Sequence, residues 1–206
     1  MRIAASFGLQ TVPSSLIRLS SGELSYITKR IDRTEEGEKI HMLDMFQILE
    51  AFDKYKGSME RVGKAIAKYA ENTLLDLINF FELAVFCFLT GNNDMHLKNF
   101  SMIVQSDDTW NLAPAYDLLN AAIVNPDDKE ELALTLNARK SKLNRAHFAA
   151  FGRGLGLTDR QIEGVFNRLL KNEKLAVAQI EISFLSDAFK EKYKALLTER
   201  YNRIRD

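Results

Sequence analysis

The feature that most constrains the fold is the most apolar part of the chain, residues 72–90, which is followed directly by Gly91. A helix that is apolar almost all round is normally buried at the centre of a fold. A glycine just past the last helical residue is a common stop signal. We therefore predict a buried central helix over 72–90, from whose end the polar segment 92–99 leaves the core.

Composition and charge exclude several classes of protein. The 206 residues fit one domain, or a domain with a small appendage, and 28 Lys and Arg balance 28 Asp and Glu. A chain without net charge has no overall field to attract nucleic acid or an anionic membrane. The single cysteine, Cys87, excludes an intrachain disulfide and suits a reducing compartment. No uninterrupted run approaches the roughly 18 apolar residues of a membrane span, so we expect a cytoplasmic protein without direct nucleic-acid or membrane contact.

The remaining periodicity predicts a mainly α fold of the α+β class, with small β-hairpins. Helical spacing or stop signals predict a helix ending before Gly8 and helices over 42–52, from Ser58 to Tyr69, and from Arg145 onward with breaks near 152–158 and Asn172. Thr158 with Gln161 three residues later forms a capping-box pattern. Strand patterns predict a hairpin from 16–19 and 24–31, a second from 100–104 and 110–112, and one further strand at 132–136.

Three polar residues follow the central helix at spacings typical of phosphoryl transfer. That chemistry needs a carboxylate base and oxygen ligands for magnesium. In protein kinases four residues separate the base Asp from a metal-binding Asn, as they separate Asp94 from Asn99 here. Asp117 lies 18 residues beyond Asn99, after the predicted second hairpin, where a second metal-binding Asp belongs. Asp-x4-Asn alone is a weak signal, but the three-part arrangement after a buried helix is stronger.

The extended pattern resembles a known family. Residues 92–99 read Asn-x-Asp-x-His-x-Lys-Asn, residues 113–118 read Ala-Pro-x-Tyr-Asp-Leu, and together they resemble the HipA family, bacterial serine/threonine kinases of toxin–antitoxin modules. The similarity extends to the hinge strand at 26–33 and covers essentially the whole chain. It implies a helical C-terminal kinase lobe at 33–206, preceded by a remnant of the small lobe and hinge at 1–32, with hairpins at the hinge and the metal-binding loop.

The resemblance also implies roles for individual residues, with ATP and Mg²⁺ as cofactors. Asp94 would be the catalytic base, Asn99 and Asp117 the magnesium ligands, and Lys98 a catalytic cation near the phosphates. The backbone of Lys29, Arg30 and Ile31 would contact the adenine, and Tyr116 would pack beside the nucleotide. His96 either contacts phosphate or shapes the loop, and the sequence leaves these two alternatives open.

The resemblance further implies that the small β-rich lobe, with its phosphate-covering loop and ATP-anchoring Lys, is missing from this chain. We therefore expect weak nucleotide binding and poor phosphate transfer by the chain alone, unless a separate small-lobe subunit completes it. Two alternatives remain: an inactive lobe that acts as a binding module, and a lipid or small-molecule kinase, whose loops share the Asp-x-His-x2-Asn order. The family implies a translation-related protein substrate and a DNA-binding antitoxin partner. The unpaired edge of the first hairpin favours a homodimer.

Overall fold

A computed structural model describes residues 1–205. In chain order the elements are α1 Arg2–Ser6, β1 Ser14–Arg18, β2 Leu24–Thr28, β3 Met42–Asp44, α2 Met45–Ile48, α3 Met59–Tyr69, α4 Thr73–Thr90, a 3-10 turn Leu97–Asn99, β4 Ser101–Val104, β5 Trp110–Leu112, α5 Arg145–Gly154, α6 Asp159–Lys171, α7 Glu173–Glu181 and α8 Asp187–Arg205. Helices predominate and the strands form only small antiparallel sheets, which confirms the predicted fold class.

The predicted central helix is confirmed as α4, which packs against α3, α6, α8 and β5. By length and composition α4 would also suit a membrane span, but 72% of it is buried inside the fold, as a core helix should be. Cys87 is fully buried on α4, and burial raises the pKa of its thiol, so it is an inert core residue as predicted. The helix ends at Gly91, whose φ of +71° is the left-handed conformation that glycine adopts without strain.

Aromatic contacts connect α4 to the polar loop that follows it. Phe100 comes directly after that loop, and its ring lies edge-on to Phe80 of α4 at 5.4 Å between centroids. Phe80 also contacts Phe151 of α5 at 5.9 Å. All three side chains are essentially inaccessible to solvent. The end of the loop is therefore fixed to the most tightly packed part of the core, where displacing a side chain costs the most free energy.

Two separate sheets flank this core. β1 and β2 form the predicted first hairpin, with Ser14 opposite Thr28, although the second strand ends at Thr28 and not at Ile31. β4 and β5 form the predicted second hairpin, and β3 joins it as an edge strand with Met42 opposite Ile103. The second hairpin is thus part of a three-stranded sheet in the order β3-β4-β5.

The predicted helix over 42–52 is wrong. Met42–Asp44 pairs with β4, and only one helical turn follows, Met45–Ile48. Asp44 starts that turn with a capping box to Gln47, and Glu50 adopts a φ of +49°, which stops it. Met45 is buried and Phe46, Ile48 and Leu49 pack against the core, whereas Phe52 is fully exposed. A strand partner more than 50 residues away determines the backbone conformation of Met42–Asp44. Periodicity within one segment carries no information about such a partner.

The predicted strand at 132–136 is also wrong, although its burial pattern was informative. Leu132, Leu134 and Leu136 are almost completely buried, yet the segment makes only isolated bridges, from Thr135 to Ser58 and from Leu136 to Arg139.

The C-terminal helices agree with prediction, including the Thr158 capping box, except that the chain also breaks at 182–186, between α7 and α8. His147 forms the capping box that starts α5, because its side chain accepts a hydrogen bond from the Asn144 backbone N–H.

Candidate active site

The loop 92–99 lies at the C-terminal end of α4, where the left-handed Gly91 turns the chain out of the helix. Asn92 follows and is 1% exposed. Its Oδ1 accepts a hydrogen bond from the Asp94 backbone N–H at 3.3 Å, and its Nδ2 donates to the Asp117 carbonyl at 3.3 Å. One buried amide therefore joins the loop that carries Asp94 to the segment that carries Asp117.

Asn99 makes a second connection between the same two segments. Its Nδ2 donates to the Asp94 carbonyl at 3.1 Å and to Oδ2 of Asp117 at 3.1 Å. Asp117 itself has a φ of +55°, a conformation that asparagine and aspartate tolerate better than most residues. Asp94, Asn99 and Asp117, which the sequence analysis singled out by spacing, are thus adjacent in space.

The oxygen atoms that Asn99 and Asp117 offer as ligands fit magnesium. Because Nδ2 of Asn99 makes the hydrogen bonds, Oδ1 is left as an amide oxygen beside the Asp117 carboxylate. Mg²⁺ prefers oxygen ligands and usually takes only one or two from protein, the rest being water or phosphate. Within residues 1–205, no three His, Cys, Asp or Glu side chains converge to hold an ion by themselves. Asn99 and Asp117 therefore suit an ion whose remaining ligands are phosphate oxygens or water.

Asp94 has a contact that sequence analysis missed. The hydroxyl of Tyr55, from the segment between α2 and α3, donates to Oδ1 of Asp94 at 2.9 Å. The two residues are 39 positions apart, and no spacing rule connects them. The preceding residue, Lys54, is fixed to the same loop because its carbonyl accepts a hydrogen bond from the Leu97 N–H at 3.1 Å.

The side chain of His96, within the loop, is buried. It is 6% exposed, Nζ of Lys54 is 2.9 Å from its Nε2, and the Tyr55 ring stands edge-on to it at 5.1 Å. Burial, and then the Lys54 charge, lower the pKa of His96, so the imidazole is neutral. Since an ammonium can only donate, Nε2 is the acceptor and we assign the ring proton to Nδ1. These contacts serve the loop-shaping alternative for His96.

A cleft of about 340 Å³ lies beside the loop, between the hinge and the three-stranded sheet. Of the six residues predicted to contact nucleotide, all but His96 line it, namely Lys29, Arg30, Ile31, Lys98 and Tyr116. The floor includes Asp44 and Ser101, at the facing ends of β3 and β4. Residues far apart in sequence, such as Ile31 and Lys98, therefore face one cavity.

Two side chains of the cleft are held in defined positions. The hydroxyl of Tyr116 lies 2.6 Å from Oγ of Ser101 and donates to the Lys98 carbonyl at 2.9 Å. Burial raises the pKa of Tyr116 to about 12, so the phenol is neutral and unsuited to act as a base. Nζ of Lys98 lies 4.8 Å from the centroid of the Phe46 ring, and the side chain is otherwise exposed at the edge of the cleft.

Comparison with known proteins identifies similar chains. Residues 1–177 match the model of a family described as "HipA-like C-terminal domain". A Sinorhizobium fredii protein named "Putative kinase Y4dM" is 32% identical over 168 residues, which cover 73% of this chain and 40% of that protein. A Haemophilus influenzae protein named "Putative kinase" is 24% identical over 208 residues, covering 87% of this chain and 61% of that protein. The chain spans less than two thirds of either relative.

Two solved structures share the fold. HipA of Shewanella oneidensis, in a complex with HipB and operator DNA, superposes with a TM-score of 0.83 at 22% identity, covering 99% of this chain and 54% of that chain. The Helicobacter pylori proinflammatory kinase CtkA gives a TM-score of 0.70 at 18% identity, covering 98% of this chain and 77% of that chain. At these identities the likeness establishes the fold alone.

Proposed function

The chain belongs to the family of HipA-like C-terminal domains, and from that premise we propose that it is the catalytic lobe of a serine/threonine protein kinase. The observation that carries the proposal is the convergence of Asp94, Asn99 and Asp117 through the two hydrogen bonds of the Asn99 amide. A carboxylate for the acceptor proton and two oxygen ligands for a metal are the groups that phosphoryl transfer requires of a protein.

In this proposal Asp94 orients the acceptor hydroxyl and takes its proton. Its side chain is only partly buried, so an acceptor residue of another protein can reach it. Asn99 and Asp117 hold magnesium through Oδ1 and the carboxylate, and their mutual hydrogen bond fixes the spacing of the two ligands. When bound, Mg-ATP supplies the phosphoryl group and the charge that neutralises its oxygens.

The cleft lined by the hinge would hold the nucleotide. Backbone groups of Lys29 to Ile31 would offer adenine contacts, with the Ile31 side chain against the ring, and Lys98 adds a positive charge to the lining. Lysine suits phosphate as a flexible point charge. His96 is assigned to shaping the loop, because its Nε2 is occupied by Lys54.

We propose that the chain alone binds nucleotide weakly. None of the described residues that line the cleft is a glycine, so its lining contains no glycine-rich loop that could cover phosphates. The chain also spans only 40% of Y4dM, whose remaining length lies outside the match. Binding energy that a covering loop and an anchoring cation contribute would therefore come from another segment or subunit.

The test is an autokinase and ATPase assay with radiolabelled ATP on the purified 206-residue chain. Asp127→Ala serves as the control, because Asp127 is an exposed carboxylate on a nearby loop. We expect slow transfer by the wild type and the control, and none by Asp94→Ala. Rapid turnover that Asp94→Ala abolishes would refute the claim that the chain alone is weak. Equal turnover by Asp94→Ala and the control would refute the assignment of the base.

The partner and the location are proposals that rest on the relatives. The Shewanella HipA structure contains HipB and operator DNA, so we propose a DNA-binding antitoxin as the partner. From the family resemblance alone we propose a translation-related protein as the substrate and a cytoplasmic location. The hairpin of β1 and β2 leaves apolar side chains exposed on both strands and offers an edge for a second copy. Size-exclusion chromatography with light scattering would show a dimer or reject it.

A further inference from the structure

Tyr55 contacts the loop 92–99 from outside the motifs that define the site. Its hydroxyl donates to Oδ1 of Asp94 at 2.9 Å. Its ring is edge-on to His96, with 85° between the ring planes, and Nζ of Lys54 lies 4.8 Å from the ring centroid. The Tyr55 ring, 41% exposed, is thus contacted on one side by a buried imidazole and on another by a lysine, while its hydroxyl reaches Asp94.

The contact distinguishes the two oxygens of the Asp94 carboxylate. Within residues 1–205, the Tyr55 hydroxyl is the group that hydrogen-bonds this side chain, and it uses Oδ1. Oδ2 is left for an acceptor hydroxyl. A partly exposed carboxylate without such an anchor would sample several rotamers, and productive proton transfer requires one orientation. Supporting residues with fixed rotamers are the usual means of preorganising a reactive side chain.

We infer that Tyr55 is a positioning residue for the proposed phosphoryl transfer: it holds Oδ1 of Asp94 so that Oδ2 accepts the proton of the acceptor hydroxyl. The inference rests on the proposed function. Lys54 and His96 contact the Tyr55 ring. The pair Lys54–Tyr55 is fixed to the loop by two hydrogen bonds, one from the Leu97 N–H to the Lys54 carbonyl and one from the Tyr55 hydroxyl to Asp94.

The decisive variant is Tyr55→Phe, which keeps the ring against His96 and removes only the hydroxyl. The chain offers a matched control in Tyr69→Phe. Tyr69 is exposed to a similar extent, 46% against 41%, and it also lies beside the preceding lysine, with Nζ of Lys68 at 4.7 Å from its ring centroid. It lies at the end of α3 and makes no contact with Asp94.

The first measurement needs no turnover. The side-chain carboxyl carbon of Asp94 is observed by ¹³C NMR and assigned by its absence in Asp94→Asn. We expect the resonance to move in Tyr55→Phe and to stay in place in Tyr69→Phe, because only the first variant removes a donor to the carboxylate. A resonance that is the same in both variants would overturn the inference.

The second measurement is steady-state phosphate transfer by the protein together with whatever segment or subunit completes its nucleotide site. A hydrogen bond to a charged group is worth a factor of about ten to a hundred, so we expect kcat to fall by that factor in Tyr55→Phe while KM for ATP is unchanged. Unchanged kcat, or a raised KM alone, would overturn the inference.

The two readouts separate the inference from the proposed function. If no form transfers phosphate, the wild type included, the proposed function fails, and a displaced Asp94 resonance in Tyr55→Phe still supports the contact. Phosphate found on Tyr55 itself by mass spectrometry would overturn the positioning role, because the phenol would then be a reactant.

Discussion

Nδ2 of Asn99 lies 3.1 Å from Oδ2 of Asp117 and also 3.1 Å from the carbonyl oxygen of Asp94. One amide group therefore joins the residue proposed as the base to the residue proposed as a metal ligand. Asn99 is 7% exposed, so these hydrogen bonds are shielded from competing water. Its side chain has a structural role in the loop besides the proposed role as a ligand.

Asn99→Ala should lower the free energy of unfolding by about 1–3 kcal/mol, because it removes a donor from the Asp117 carboxylate and one of the two donors to the Asp94 carbonyl, which keeps only the His96 N–H. Urea unfolding measures this change, and hydrogen exchange of the amides in 92–99 should accelerate. Asn125→Ala is the control, since Asn125 is exposed and its hydrogen bonds, to the Ala121 carbonyl and from the Asp128 N–H, are made by its backbone. Equal stability of the two variants would show that the amide does not hold the loop.

Gly91→Ala should destabilise the fold by about 1–3 kcal/mol, because a φ of +71° strains any residue with a Cβ. The added Cβ would also lie 2.7 Å from Oδ1 of Asn120. Gly164→Ala is the matched control: it lies within α6 with nothing within 4 Å of the new Cβ, and it should stabilise by about 0.5–1 kcal/mol. Thermal unfolding with both variants checks the opposite signs.

The parts of the fold that sequence analysis predicted depend on local signals. Helix α4 follows from its composition, the start of α3 from the Ser58 cap, and both hairpins from turn residues between apolar runs. The segment 42–52 was predicted wrongly because β3 exists only through its pairing with β4. The segment 132–136 was predicted wrongly because burial can be satisfied without a strand partner.

The candidate site divides in the same way. Asp94 and Asn99 lie in one loop and Asp117 follows one hairpin, so their proximity could be predicted from spacing. Tyr55 belongs to a segment 39 residues earlier, whose approach to Asp94 depends on how α2 and α3 pack. No spacing within the sequence encodes that approach, and the polar segment around Tyr55 gave no signal beyond an aromatic residue in a loop.

A buried charge network around Glu131 connects the C-terminal helix to the site. Glu131 accepts hydrogen bonds from Arg203 at 2.7 Å and from the Leu143 N–H at 2.8 Å, and Nη1 of Arg200 lies 3.1 Å away. The neighbouring Glu130 carbonyl accepts a hydrogen bond from the amide of Asn93, next to Asp94. Helix α8 is thereby coupled to the loop 92–99.

Glu131→Gln should cost about 3 kcal/mol at neutral pH, because it removes the buried carboxylate shared by Arg200 and Arg203 and leaves them only the half-exposed Glu199. Burial raises the pKa of Glu131, but the Arg203 and Leu143 hydrogen bonds and the Arg200 charge outweigh burial, so the pKa lies below the ordinary 4.5. A lowered carboxyl pKa contributes stability above 4.5 that is lost as pH falls through the folded-state pKa.

The stability difference between wild type and Glu131→Gln should therefore be constant above pH 5 and shrink as the pH falls below 4.5. Urea unfolding at a series of pH values measures it, with Glu36→Gln, an exposed carboxylate, as the control. A difference that grows on acidification would contradict the proposed charge pairing.

The most direct test of the central claim is a titration of the 206-residue chain with ATP, with and without Mg²⁺, followed by ¹H–¹⁵N NMR. If Asn99 and Asp117 are magnesium ligands and Asp94 is a base, Mg-ATP should shift the amides of the hinge and of residues 92–99 and 116–118. Asp117→Ala should remove the dependence on Mg²⁺, whereas Asp94→Ala and Asp127→Ala should bind as the wild type does. Binding that is indifferent to Mg²⁺, or a Mg²⁺ dependence that survives Asp117→Ala, would contradict the account.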